Sequence, residues 1–138
     1  DMAKIGVTVE IVSYEWGEYL ERAKAKDRDG AVLLGWTGDN GDPDNFLAVL
    51  LGCDAVGNSN RAQWCNKDFD ALIQKAKITS DVAERTKLYE EAQVIFKDQA
   101  PWATIAHSVV FTPMTKAVTG YTMSPLGTVS FEGVDIAE

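Results

Sequence analysis

The 138-residue sequence has no apolar run long enough to cross a membrane, and it has few basic residues. Its longest apolar runs, such as residues 46–51, are far shorter than the roughly 18 residues that a membrane-spanning helix needs. Only 13 basic residues stand against 21 acidic ones, so the net charge is −8. A nucleic-acid-binding protein normally carries a basic patch, and anionic lipid heads repel an acidic chain. The composition therefore argues against nucleic-acid and anionic-membrane partners.

The motifs of common enzyme and metal sites are also missing. The sequence contains no G-x-S-x-G elbow, phosphate-binding loop, H-E-x-x-H or C-x-x-C. His107 is the sole histidine, so a Ser-His-Asp hydrolase would need it as its general base. Its neighbour Ser108 would point to the opposite face of a strand. We therefore interpret His107 as a structural residue and expect a protein that is not an enzyme and holds no metal or other cofactor.

Cysteine is scarce as well, with Cys53 and Cys65 twelve positions apart. The residues between them include a run of turn formers, so the chain can fold back there. The pair could form a disulfide, remain as two buried thiols or bind a metal. A metal is disfavoured because the spacing is not that of a zinc site and the sequence has a single histidine. A disulfide is favoured, and it would point to an oxidising compartment.

The sequence does not begin like a complete protein. It has no initiator Met at position 1 and no signal peptide. Residues 1–6 are typical of the last turn of a helix that ends at a glycine, here Gly6. We therefore expect the 138 residues to be a fragment of a longer chain.

The first 35 residues predict a βαβ unit. Residues 7–12 alternate in the manner of a half-buried strand, and Ser13 is placed to cap a following helix. One face of that helix would carry Trp16, Tyr19, Leu20 and Ala23. Residues 31–35 form a continuous apolar run, typical of a strand buried in a parallel sheet. The pattern predicts an α/β fold with a right-handed βαβ unit and a mixed sheet flanked by helices.

The rest of the sequence is predicted to be mainly helical. A short apolar helix should run from Phe46 to about Leu51, with Asp44 or Asn45 as its cap. Asn66 should cap a second helix. Asp81 and Glu84 stand at capping-box spacing before a longer helix that Pro101 ends. The tail from residue 115 onward should form short strands and turns.

The acidic loop at residues 35–45 is the most informative feature for function. Ligands of open α/β sheets bind beyond the carboxyl ends of the strands, which is where this loop lies in the predicted fold. Its carboxylates at Asp39, Asp42 and Asp44 could bind calcium, but the EF-hand pattern fails in the registers that begin at Asp39 and Asp42. For Asp42 and Asp44 we favour turn and capping roles. For Asp39, nearest the strand end, we favour an ion pair with a ligand ammonium group.

Residues 35–46, GWTGDNGDPDNF, closely resemble a segment of the dipeptide-binding proteins of bacterial ABC importers, in the peptide/nickel class of solute-binding proteins. The similarity covers nearly the whole chain and includes residues 2–7, 9–20, 99–101 and 106–108. Matches of this length are specific, although the Gly-Asp-Pro-Asp portion is shared more widely among peptide receptors.

The resemblance implies a periplasmic receptor whose two lobes close on a dipeptide or short peptide and deliver it to the permease subunits of an ABC importer. The ligand-contacting residues would be Trp36, Thr37, Gly38 and Asp39, and Asp39 would hold the free amino group. Cys53 and Cys65 would form a disulfide. The alternatives are a longer peptide or haem bound by the same fold, or a calcium-stabilised structural module.

The resemblance also implies an incomplete receptor. Residues 1–115 would form part of the second, C-terminal lobe of a periplasmic-binding-protein-like fold, and residues 116–138 a tail that returns toward the first lobe. None of the sequence's four arginines matches the family's arginine for the ligand carboxylate, which would lie in the missing N-terminal part of the receptor. Because lobe closure needs both lobes, we expect the isolated chain to bind dipeptides weakly.

Overall fold

Helices dominate the computed structural model, which describes residues 1–137; Glu138, the last residue of the predicted tail, lies outside them. The described chain contains the α-helices α1 (Trp16–Lys24), α2 (Asp44–Leu51), α3 (Lys67–Ile78) and α4 (Val82–Gln99). Short 3-10 turns occupy Met2–Ile5 and Cys53–Ala55. Strands β1 (Val118–Thr119) and β2 (Asp135–Ile136) pair antiparallel, with Val118 opposite Ile136. The tail therefore forms short strands and turns, as its sequence predicts.

The hydrophobic core lies where α2, α3 and α4 meet. Each helix contributes apolar residues at helical spacing, so one face of each is buried. The buried members are Leu50, Leu51, Phe69, Ile73, Ala76, Leu88, Tyr89 and Ala92. Two aromatic side chains flank this cluster edge to face: Trp64 against Phe69 at 5.0 Å and Trp102 against Phe96 at 5.7 Å between ring centroids. This core carries α2, the helix that follows the acidic loop.

Two of the predicted helix caps are confirmed. The Asn66 side chain accepts hydrogen bonds from the backbone N–H groups of Asp68 and Phe69, both at 3.0 Å, so α3 begins where predicted. The Asp81 carboxylate accepts from the backbone N–H of Glu84 at 2.8 Å and starts α4. These caps depend only on neighbouring residues, which is why the sequence predicts them.

The other two caps were predicted wrongly. Glu15, not Ser13, caps α1, and its carboxylate accepts from the N–H groups of Gly17 at 2.8 Å and Glu18 at 3.3 Å. Helix α2 begins at Asp44 instead of Phe46, and neither Asp44 nor Asn45 is its cap. The Asp42 carboxylate lies before the helix and accepts from the Asp44 N–H at 2.9 Å. The chain therefore turns into α2 two residues earlier than expected.

The disulfide between Cys53 and Cys65 is confirmed, with the two Cα atoms 4.6 Å apart. Inside the loop that it closes, the buried amide group of Asn60 donates to the carbonyl oxygens of Gly52 at 3.1 Å and Trp64 at 2.8 Å. The Gly52 carbonyl also accepts from the Ala55 N–H at 3.1 Å. The loop is thus fixed to the ends of α2 and α3.

The predicted βαβ unit and mixed sheet do not form in this structure. Among residues 1–137, β1 and β2 make the single sheet, and residues 7–12 and 31–35 belong to neither strand. Ile11 is 90% exposed and Leu33 is 76% exposed. A strand needs a neighbour that offers ladder hydrogen bonds, and no described segment provides one. One contact with α1 is the bond from the Tyr19 O–H to the Leu33 carbonyl at 2.7 Å.

No helix within residues 1–137 combines the length and the apolar character that crossing a bilayer requires. The division of the chain at residues 115 and 116 stays a prediction.

Candidate functional site

The acidic loop follows residues 31–34 and leads into α2. Two glycines determine its shape. Gly41 has a positive φ of 70°, which glycine adopts without strain. At Gly38 a Cβ atom would lie 2.7 Å from Cε2 of Phe46, so the Phe46 ring occupies the space of a side chain. The ring therefore packs on the Gly38 backbone. This contact explains why residue 38 is glycine and fixes the loop against the start of α2.

The side chain of Asn45 connects the loop's aromatic and acidic residues. Its Oδ1 accepts from the indole N–H of Trp36 at 2.8 Å and from the backbone N–H of Asp39 at 3.1 Å. Its Nδ2 donates to Oδ2 of Asp39 at 3.0 Å. One amide group from the first turn of α2 thus orients Trp36 and Asp39, two of the four residues that the sequence assigns to ligand contact.

The Asp39 carboxylate is exposed at the surface of the loop. Oδ2 is bonded to Asn45, and Oδ1 has no hydrogen-bond partner within residues 1–137. A carboxylate held on one oxygen keeps its other lone pairs for a cation. Trp36, 42% exposed, lies in the same network and offers an apolar wall. The arrangement suits a ligand with a positive charge beside an apolar group.

Asp42 faces away from this network and ties the loop to α4. Nη2 of Arg85 donates to both Asp42 carboxylate oxygens, at 2.7 and 2.8 Å, and Nε of Arg85 donates to the Ala76 carbonyl at 3.1 Å. The bond from Arg85 and the bond from the Asp44 N–H hold the pKa of the Asp42 carboxyl below its usual range. Beside them, burial raises the pKa of the Tyr89 hydroxyl. Asp42 therefore anchors the loop to α4, and its bond from the Asp44 N–H is the turn contact expected for it.

Asp44 has a partner of its own, since Oδ2 lies 3.8 Å from Nζ of Lys77 in α3. The three loop carboxylates thus face an amide, a guanidinium and an ammonium group, respectively. Within residues 1–137 no group of three or more acidic, His or Cys side chains is placed to hold a metal ion. The loop does not gather its carboxylates around one point, as a calcium site would require.

The tail also lies against the acidic loop. A Cβ added to Gly127 would meet Cγ2 of Thr37 at 3.5 Å, and one added to Gly41 would meet Cδ2 of Leu126 at 4.0 Å. The turn that carries them is closed by a bond from the Gly127 N–H to the Ser124 carbonyl at 3.1 Å. Thr37 therefore lies between the loop backbone and this turn.

The structure brings Trp36 and Asp39 together, with Thr37 and Gly38 between them, and it adds two residues that the sequence did not single out. From the sequence, Asn45 is only a possible helix cap. Arg85 is one of the four arginines that do not match the family's arginine for the ligand carboxylate. The position of Asn45 before a predicted helix indicates a cap, but its side chain bonds to the loop instead. Arg85 is 43 residues from Asp42, so no local pattern links the two. His107 lies apart in the exposed residues 103–114, so no packing role supports its structural interpretation.

Comparison with known proteins bears on what this loop meets. No protein-family model matches the chain. The Dipeptide-binding protein of Escherichia coli (strain K12) is 54% identical over 137 residues, which are 99% of this chain and 25% of that protein. Heme-binding protein A of Haemophilus influenzae is also 51% identical over 136 residues, 99% of this chain and 25% of its own length.

A dipeptide-binding protein is also among the similar solved structures. The protein from Pseudoalteromonas sp. SM9913, in complex with Met-Leu, matches with a TM-score of 0.87 and 40% identity, over 98% of this chain and 27% of that one. The match confirms the predicted periplasmic-binding-protein-like α/β fold in a partial form. The chain thus spans about a quarter of the length of the dipeptide-binding proteins that it matches.

Proposed function

We propose that this sequence carries part of the ligand site of a peptide receptor. The receptor would be the substrate-binding component of an ABC importer. Trp36, Thr37, Gly38 and Asp39 would contact a dipeptide or short peptide, and the Asp39 carboxylate would accept the ligand's amino terminus. The observation that carries the proposal is the exposed Asp39 carboxylate, held through one oxygen by Asn45 and open at the other.

The chemistry of a peptide amino terminus suits this carboxylate. An α-amino group has a pKa of about 7.7 to 8.0, so it carries a positive charge at neutral pH. An ammonium group and a carboxylate form a charge-assisted hydrogen bond, which is stronger than a neutral one. The half-exposed indole of Trp36 would pack against an apolar part of the ligand. The loop would therefore select for a free amino group more than for a particular side chain.

The receptor role includes partners and a compartment. The similarity to peptide receptors supports release of the ligand to permease subunits in the membrane and completion of the site by the N-terminal part of the same receptor. The disulfide between Cys53 and Cys65 supports an oxidising compartment, in keeping with the periplasm. The role requires binding and release without chemistry, so we propose no enzymatic activity.

The proposal is tested by Asp39→Asn in a receptor of the relatives' full length that carries this sequence. The loss of charge should weaken a dipeptide with a free amino terminus by about 30-fold or more. The closed lobes would bury the Asp39 carboxylate against the ligand, and breaking a buried charge pair costs about 2 kcal/mol or more. The N-acetylated dipeptide should lose less than threefold. Isothermal titration calorimetry measures both ligands.

A matched control is Asp54→Asn, which removes an exposed carboxylate from the 3-10 turn after α2. This variant should bind both ligands as the unaltered receptor does. Equal losses for the free and the acetylated dipeptide in Asp39→Asn would refute the ammonium role.

A second ligand class is favoured by one comparison, since Heme-binding protein A is similar over 99% of this chain. Absorbance titration of the same receptor with haem separates the two. If haem binds equally well to the unaltered receptor and to Asp39→Asn, and no dipeptide binds, then haem and not a peptide is the ligand.

A further inference from the structure

We propose that Asn45 is a positioning residue for the ligand, one that sets the indole of Trp36 and the carboxylate of Asp39 in a single arrangement. The inference rests on the proposed peptide-binding function and deepens it. From the sequence alone, Asn45 is only a possible helix cap. In the structure its amide group makes three hydrogen bonds, all of them to Trp36 and Asp39, two of the four proposed ligand-contacting residues.

The hydrogen-bond chemistry at this position requires an amide. The indole N–H and the backbone N–H can only donate, so the atom that faces both must be an acceptor. The Asp39 carboxylate can only accept when ionised, so the atom that faces it must be a donor. An asparagine side chain provides both atoms at this length. Aspartate would place a second carboxylate against Asp39, and leucine would leave the three groups without this protein partner.

The placement of Asn45 links the site to the rigid part of the molecule. Its residue lies in the first turn of α2, and its backbone N–H donates to the Asp42 carbonyl at 3.1 Å. Helix α2 ends in the buried residues Leu50 and Leu51. The Phe46 ring packs on Gly38 beside it. Asn45 therefore connects the exposed Asp39 carboxylate to a helix that is fixed in the core. The carboxylate is oriented before the ligand binds, so binding does not lose the entropy of ordering it.

The first experiment follows the Trp36 indole N–H in the ligand-free 138-residue chain by ¹H–¹⁵N correlation NMR. Trp36→Phe identifies its resonance among those of the four tryptophans. In Asn45→Ala this resonance should shift and exchange faster with water, while the other three stay in place and report a folded chain. In Asn45→Asp, which keeps the acceptor oxygen but loses the donor, the resonance should remain hydrogen-bonded. An unmoved Trp36 resonance in Asn45→Ala would overturn the proposal.

The second experiment measures dipeptide affinity in the full-length receptor by a double-mutant cycle. Asn45→Ala should weaken the free dipeptide by about tenfold, the size of one charge-assisted hydrogen bond. In the Asp39→Asn background the same change should cost less than about threefold, because residues that act through one another are not additive. The exposed Asn58, changed to Ala, is the matched control and should leave affinity unaltered.

The two failures are distinguishable. If Asp39→Asn alone leaves dipeptide affinity unaltered, the proposed ammonium site fails, whatever the NMR spectra show. If Asp39→Asn weakens binding but Asn45→Ala adds its full tenfold loss in that background, the peptide site stands and the positioning role of Asn45 is refuted.

Discussion

Two parts of the molecule are rich in apolar side chains but differ in how far they bury them. One is the helical region, residues 44–102, and the other is the set of irregular segments, residues 7–15, 31–38 and 103–115. Phe69 of α3 is 0% exposed, whereas Phe111 is 82% exposed. A helix satisfies its backbone hydrogen bonds within itself and needs only a neighbouring apolar face. A strand needs a second strand for its backbone as well. Apolar side chains are therefore buried in the helices, whose backbone hydrogen bonds are local. They stay exposed in segments whose backbone would need a second strand as its partner.

The largest expected effect sharpens this comparison with two phenylalanines. Phe69→Ala should lower the free energy of unfolding by about 3–5 kcal/mol, because it leaves a cavity in the core. Phe111→Ala should change it by less than about 0.5 kcal/mol, as surface substitutions usually do. Urea unfolding followed by far-ultraviolet circular dichroism measures both. Similar losses for the two variants would break the comparison, since they would show that residues 103–115 pack in solution.

The disulfide should have the next largest effect, and it too belongs to the helical region. Replacing Cys53 and Cys65 by Ser should cost about 3 kcal/mol, because the unfolded chain regains the freedom of a loop with a sequence separation of 12. The unaltered chain in reductant should unfold at the same urea concentration as the double variant. Reductant should leave the double variant itself unaffected. A loss well under 1 kcal/mol would place the stability of the region in its helices alone.

The smallest effect concerns the contact that joins the acidic loop to the helical region. Asp42→Asn should lower the free energy of unfolding by about 1 kcal/mol at pH 7, since the ion pair with Arg85 is partly exposed. Because folding lowers the pKa of Asp42, its contribution is complete above the ordinary value of about 3.9 and is lost as the pH falls through the lowered pKa.

The difference between Asp42→Asn and the unaltered chain should therefore shrink as the pH falls below about 4. Urea unfolding at several pH values measures it, with the exposed Asp54→Asn as the control. A difference that grows toward low pH would contradict the lowered pKa of Asp42.

The sequence predicted what depends on neighbours in the chain. Asn66 and Asp81 cap their helices as expected, since a cap and the N–H groups that it satisfies are at most three residues apart. The turn formers between Cys53 and Cys65 favoured the disulfide for the same reason. The predicted loop also proved to hold Trp36 and Asp39 in one network.

The sequence failed where the decisive contact is distant or absent. The alternation in residues 7–12 is a true strand pattern, but a pattern on one segment does not contain its partner, and residues 1–137 supply none. Arg85 meets Asp42 across 43 residues, so neither charge points to the other in the sequence. Asn45 was ambiguous because the residue types that cap helices also bond to loops.

The irregular segments also bear on the order in which the chain acquires its structure. Helices α3 and α4 are adjacent in sequence and pack against each other, so their contacts close short loops at little entropic cost. Residues 7–12 and 31–35 can gain ladder bonds only from segments remote in sequence or from another chain. Contacts of high sequence separation form slowly. The helical region is therefore expected to assemble, with the acidic loop attached to it, before residues 7–12 and 31–35 join a sheet.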